Sequence, residues 1–300
     1  MKTIIIGLPY YAKNIADNLS AVDPLNSYIP LDTSGNSKDK LRFLAHLPAV
    51  DAVYLISANI ARGGALTAAM AMKKRIVMHW VGSDVLVAGD AHHRNEIDWD
   101  LIRYSHHLVE TPWLQDELTG IGIAAEIAPI FCLENDLQAP PPLPKRFSIL
   151  SRIGKGRESF YGIDHLIKLA QDFPDIDIKL VGLSESSHSL PANMRMLGWV
   201  GDMASEYAKS VLCLRLPKHD GLSYFVLEAM GYGRHVGFSY KCEGSKHVTS
   251  YSDLKEFVVE LRSLHDNGAL GVNQVGHDFV RSNFKKSDVM GSLRRQILGR

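Results

Sequence analysis

Leu216-Pro217-Lys218-His219-Asp220-Gly221-Leu222-Ser223-Tyr224-Phe225-Val226-Leu227-Glu228-Ala229-Met230-Gly231-Tyr232-Gly233-Arg234-His235-Val236 is the stretch that decides how this chain is read. An apolar run, Val211 to Leu216, leads into it and stops at Pro217, which has no N–H to continue a ladder. The Asp220-Gly221 turn opens a helix carrying Glu228, and Gly231 and Gly233 close that helix. Asp220 has the side chain of a helix cap, a carboxylate able to accept from the first free N–H groups. Seven residues lie between Asp220 and Glu228. If most of them are helical, the two acids stand roughly 12 Å apart along the axis. The helix N-terminus between them offers unpaired N–H donors and a positive dipole end. Carboxylates accept from hydroxyls while such a terminus holds phosphate, so the pattern suits a polyol phosphate.

Outward from this stretch, the C-terminal half alternates strand and helix. Arg146 to Ser151 reads as a strand, Ile163 to Gln171 as a helix and Ile176 to Val181 as a strand. Leu197 to Val200 precedes a helix at Met203 to Ser210, and the strand Val211 to Leu216 follows. Ser252 to Leu264 is helical, and the basic tail with Lys285, Lys286, Arg294, Arg295 and Arg300 forms a last helix. The N-terminal half repeats the alternation: strand Lys2 to Gly7, helix Asn14 to Ala21, strand Asp51 to Ser57, helix Ala65 to Lys73 and strand Arg75 to Met78. A strand at Leu108 to Glu110 and a helix through Leu118 complete it. Between the halves, Pro140-Pro141-Pro142-Leu143-Pro144 fits neither helix nor central strand. The expectation is two α/β domains, 1–135 and 146–300, joined by a hinge at 136–145. Each is a Rossmann-like, doubly wound parallel sheet, and a ligand cleft lies at the carboxyl ends of their strands.

Composition narrows the functional classes. The chain has 300 residues, enough for two cores, and 46% hydrophobic with 22% charged residues places it among globular proteins. Lys plus Arg equals Asp plus Glu, 33 each, which gives no general electrostatic grip on nucleic acid or an anionic membrane. Cys132, Cys213 and Cys242 are widely spaced and odd in number, so they predict neither a zinc cluster nor a disulfide framework and suit a reducing cytoplasm. The apolar N-terminal run is too short for a signal peptide, with Lys13 and Asp17 close behind, and reads as a buried strand. No segment approaches the ~20 apolar residues of a membrane span. G-x-G-x-x-G and G-x-S-x-G are both absent, which argues against a dinucleotide oxidoreductase and a serine hydrolase.

Asp220-Gly221-x6-Glu228-Ala229-Met230-x-x-Gly233 resembles the Glu-x7-Glu signature of GT-B-fold glycosyltransferases, in particular the large retaining family 4. The resemblance implies a two-domain GT-B fold and a nucleotide-diphosphate sugar as substrate, with no separate cofactor and no catalytic metal. It implies that Glu228 holds the nucleotide ribose and that Asp220, standing where that family has Glu, reaches the donor sugar. Arg152 matches the family's phosphate-binding Arg, whereas Tyr161 falls where its Lys would align. Lys155 or Arg157 is then the source of the missing charge, and the N–H groups at Gly221, Leu222 and Ser223 complete the diphosphate cradle. His79, next to a strand end, matches a His that meets the donor sugar. Asp84, in His79-Trp80-Val81-Gly82-Ser83-Asp84, caps the following helix or acts as an acceptor-side base, and Gly7 and Gly63-Gly64 admit an acceptor or a phosphate.

The expected catalytic set is His79, Asp220 and Arg152. The acceptor is a glycan, a lipid-linked hydroxyl or a small molecule, with peripheral membrane association left open and nucleic acid excluded as a partner. His92-His93 and His106-His107 are read as structural, because adjacent histidines point apart and nothing completes a metal site. His235 is read the same way. Two rivals remain: a sugar-nucleotide epimerase or hydrolase on this fold, and a degenerate transferase that binds nucleotide without turnover.

Overall fold

A computed structural model describes residues 1–299; Arg300, counted above with the basic tail, lies outside the described residues. The chain forms two compact units. The first comprises Met1–Asn135, the short segment Asp220–Leu222 and the chain from Phe284 onward; the second comprises Asp136–His219 and Ser223–Asn283.

The first unit runs β1 (Lys2–Gly7), α1 (Pro9–Val22), β2 (Ser27–Pro30), α2 (Ser37–His46), β3 (Ala52–Ile56), α3 (Gly64–Ala71), β4 (Arg75–Trp80), α4 (Ser83–His93), α5 (Trp99–Tyr104), β5 (His106–Val109), α6 (Pro112–Gly120) and β6 (Glu126–Ile127). Its strands are all parallel, in the order β2-β1-β3-β4-β5-β6. β3 is buried at all five positions, as expected of a central parallel strand covered on both faces. One core layer gathers Ile4, Phe43, Val53, Leu66, Ile76 and Met78; another gathers Trp80, Val85, Ile102, Leu114 and Leu118.

The second unit runs β7 (Ser148–Arg152), α7 (Ile163–Asp172), β8 (Asp177–Val181), β9 (Met194–Gly198), α8 (Met203–Ala208), β10 (Leu212–Arg215), α9 (Tyr224–Gly231), β11 (His235–Phe238), β12 (Lys246–His247), α10 (Tyr251–Asp266) and α11 (Gln274–Asn283). Its parallel order is β12-β11-β10-β7-β8-β9. The first strand of the unit, β7, thus lies between the second, β8, and the fourth, β10. The strand order reverses between β7 and β10, and in such sheets the carboxyl ends of that strand pair flank the ligand crevice. α7 buries Ile163, Leu166, Leu169 and Ala170, a helical stripe laid on this sheet. The last helix, α12 (Lys286–Leu298), belongs to the first unit and packs on α1; Arg75 donates there to the carbonyl oxygens of Ile297 and Gln296, each at 3.0 Å.

Several boundaries differ from the sequence expectation. α1 starts at Pro9 rather than Asn14, with the proline in the first helical turn, where its missing N–H costs nothing. β4 runs two residues past Met78, to Trp80. β2, α2, α5, β6, β9, β12 and α11 were not anticipated. α2 buries only Phe43, and Asn36 caps it by accepting from the N–H groups of Lys38 and Asp39. The Pro-rich connector is tied into the second unit by Arg234, which is fully buried. Its guanidinium donates to the carbonyls of Tyr232 (2.8 Å), Pro142 (3.3 Å) and Ser210 (3.4 Å), and also to that of Pro141. Among the described residues no helix is long and apolar enough to cross a membrane.

Candidate functional site

In the second unit, Arg152 and Glu228 come from two sequence-distant elements. Arg152 is the last residue of β7, at the carboxyl end where the strand order reverses. Glu228 is on α9, whose Phe225, Val226, Leu227, Ala229 and Met230 are buried and fix the helix on the sheet. That anchoring leaves Glu228 half-buried, and its Oε2 accepts from the Tyr207 hydroxyl at 2.7 Å. Tyr207 comes from α8, is 1% exposed, and packs its ring 5.7 Å from Phe225 and 5.5 Å from Tyr232. Burial pushes the Glu228 pKa up, while the Tyr207 bond and the nearby Arg152 charge oppose it. The Tyr207 hydroxyl is raised in turn by burial and by Glu228. The result is a half-buried carboxyl group with one oxygen, Oε2, oriented by a fixed phenol.

α9 begins without a side-chain cap. Ser223 is its N-cap residue, in extended conformation; its carbonyl accepts from the N–H groups of Val226 and Leu227, but its side chain makes no bond to the helix. Asp220 is therefore not the cap that the sequence suggested: three more residues of turn precede the helix. Of the two loop cations, Lys155 is ion-paired with Glu185 and Arg157 lies 4.0 Å over the Phe160 ring.

Asp220–Leu222 is held within the first unit. Trp113 Nε1 donates to the Asp220 carbonyl at 2.9 Å. Gly221 lies so close to Val81 that a Cβ there would fall 2.1 Å from the Val81 carbonyl oxygen, so only glycine fits. The Leu222 N–H bonds to Glu110, which takes it out of the expected phosphate cradle. Glu110 is 5% exposed; burial first, and then Asp84 and Asp220, hold its pKa well above the ordinary carboxylate value.

His79 corrects an expectation. Because β4 continues to Trp80, His79 lies inside the sheet and is 0% exposed, with Nδ1 paired to the Tyr54 hydroxyl at 2.6 Å. Burial lowers its pKa to about 3, offset only in part by the Ala128 backbone, so it is neutral. In this conformation it has no open face for a sugar. Asp84 lies in the first turn of α4, and its carboxylate accepts from the backbone N–H groups of Ala58, Val81, Gly82 and Val85 at 2.8–3.1 Å. Burial raises its pKa while those bonds lower it, and its oxygens are committed to the backbone. Gly7 ends β1, and Gly63 and Gly64 start α3. His107 is structural: Trp80 Nε1 donates to its Nδ1 at 3.1 Å, and its Nε2 donates to the Ile102 carbonyl at 2.9 Å. Among the described residues, no three His, Cys, Asp or Glu side chains group to hold a metal.

Sequence reasoning missed Tyr207, Glu110 and Arg234. Glu110 looked like the last residue of a strand, and Tyr207 and Arg234 carry no motif. Only the register of the strands brings them to the helix and loop they hold.

No family model and no curated protein matches the chain. Solved structures do. Anabaena HepE in complex with UDP-glucose superposes with a TM-score of 0.71 at 12% identity, covering 100% of both chains. Sucrose-phosphate synthase from Thermosynechococcus elongatus gives 0.70 at 12% identity, again over 100% of both. A glycosyltransferase from Rickettsia africae gives 0.67 at 12% identity, over 99% of this chain and 98% of the other. With its two parallel six-stranded sheets, the chain has the GT-B fold of these glycosyltransferases.

Proposed function

We propose that this chain is a glycosyltransferase that moves a sugar from a nucleotide diphosphate, a uridine diphosphate in the first instance, to a hydroxyl acceptor. The observation that carries the reading is the Glu228 carboxylate, oriented by Tyr207 beside the uncapped start of α9 and near Arg152. Glu228 Oε1 accepts from a ribose hydroxyl. The α9 N-terminus and Arg152 take the diphosphate, neutralising the charge that develops as it leaves. The uridine base is supported by neighbours of this fold with bound UDP-glucose or UDP.

In the reaction, the bond from the anomeric carbon to the β-phosphate oxygen breaks. A bond from that carbon to the acceptor oxygen forms on the same face, and the acceptor proton passes to the departing phosphate. Retention is favoured because the alternative base, Asp84, is 7% exposed and committed to four backbone N–H groups. The side chains and helix terminus supply the positive potential, and the reading includes no resident metal or cofactor. The acceptor is a glycan, a lipid-linked hydroxyl or a small molecule.

Incubation with UDP-glucose, UDP-galactose and UDP-N-acetylglucosamine over an acceptor panel tests this. Proton NMR of the product should show an α-linkage. A β-linked product would overturn retention, and a protein that binds none of these donors would overturn the function.

A further inference from the structure

We infer that Arg215, at the end of β10, is the second cation of the diphosphate site and grips the β-phosphate together with Arg152. This rests on the donor reading above. A departing nucleoside diphosphate carries about two negative charges, and one arginine leaves it under-compensated. Of the cations expected from sequence, Lys155 pairs with Glu185 and Arg157 lies over Phe160, both in the loop beyond β7.

Arg215 is placed differently. β10 pairs with β7 with Leu214 opposite Ser151, so the next residues, Arg215 and Arg152, end neighbouring strands. These two strands flank the point where the sheet order reverses, where such sheets bind ligands. The Arg215 Nη1 donates to the Arg152 carbonyl at 3.1 Å, and its guanidinium lies 4.6 Å over the Tyr161 ring. That ring is itself fixed. It passes so close to Gly154 that a Cβ there would sit 2.7 Å away, and the Lys218 N–H bonds to the Phe160 carbonyl at 2.8 Å beside it. Tyr161, the uncharged residue where the resemblance called for lysine, thus becomes a platform that aims a guanidinium. Arginine's planar fork also suits two phosphate oxygens at once.

Calorimetric titration of the full chain with UDP, UMP and uridine tests the inference, with GDP and ADP as alternative diphosphates. Arg215→Gln should weaken UDP roughly 10- to 100-fold, the loss expected for one charge-assisted contact. Uridine affinity should be unchanged, and the ionic-strength dependence of UDP binding should flatten. Lys155→Gln should bind UDP as wild type does. Tyr161→Leu, which keeps every charge, should lose part of the preference for UDP over uridine, and it gives the same readout if Arg215→Gln does not fold. Wild-type UDP affinity in both Arg215→Gln and Tyr161→Leu would overturn the inference while leaving the donor reading intact. Absence of binding by wild type to any of the three diphosphates would overturn the donor reading itself.

Discussion

Replacing Tyr207 by Phe removes one oxygen, the donor to Glu228 Oε2 at 2.7 Å, and leaves the ring packed between Phe225 and Tyr232. A hydrogen bond to a charged group contributes about 1.5–3 kcal/mol. Glu228 is half-buried and water replaces the lost donor poorly, so the upper part of that range is expected. At roughly 2–4 °C per kcal/mol for a domain of this size, the melting temperature should fall by about 5–12 °C. The effect should also depend on pH. Burial raises the folded pKa of Glu228 above 4.5, so the folded state holds this proton more tightly than the unfolded state. Stability therefore falls as pH rises through that range. The Tyr207 bond favours the ionised form and limits the fall, so Tyr207→Phe should lose more stability at about pH 8 than at about pH 4.5. Thermal melts of both proteins at the two pH values measure this. An equal loss at both, or none, would refute the claim that Tyr207 acts on an ionised Glu228.

Glu110 should behave in a related way. Its folded pKa lies well above the ordinary value, so it loses stability as pH rises from about 4.5 towards the folded pKa, at up to about 1.4 kcal/mol per pH unit. Glu110→Gln should flatten that decline in chemical denaturation, gaining on wild type as pH rises. Gly221→Ala drives a methyl into the Val81 carbonyl and should cost more than about 2 kcal/mol, read as an earlier unfolding midpoint. Arg234→Met keeps much of the volume but leaves the carbonyls of Pro141, Pro142, Ser210 and Tyr232 without their donor. A loss of about 3 kcal/mol or more in urea unfolding is expected.

The parallel sheets were legible because their central strands are continuous apolar runs, as in β1 and β3, punctuated by turn residues. Elements with mixed faces were not: β2 is a short edge strand, and α2 buries a single side chain. At the candidate site, Glu228 and Arg152 stand out by motif and position, whereas the Tyr207 hydroxyl that holds Glu228 has no such signal. The burial of His79 was not legible, because it depends on where β4 ends, and strand ends are set by pairing rather than by the local sequence. The cap of α9 was misassigned to Asp220 because Gly221-Leu222 is drawn against Val81 and Glu110, residues more than a hundred positions away that no local pattern reveals. Arg215 lay in plain view as the charged end of an apolar run. Its place beside Arg152 appears only once β10 is paired with β7.

The most direct test is a calorimetric titration of UDP into the wild-type chain and into Glu228→Ala. Wild type should bind UDP saturably, and Glu228→Ala should weaken it at least roughly tenfold, because the ribose loses its hydrogen-bonded carboxylate. Equal affinity in the two proteins, or no binding by wild type, would contradict the donor reading.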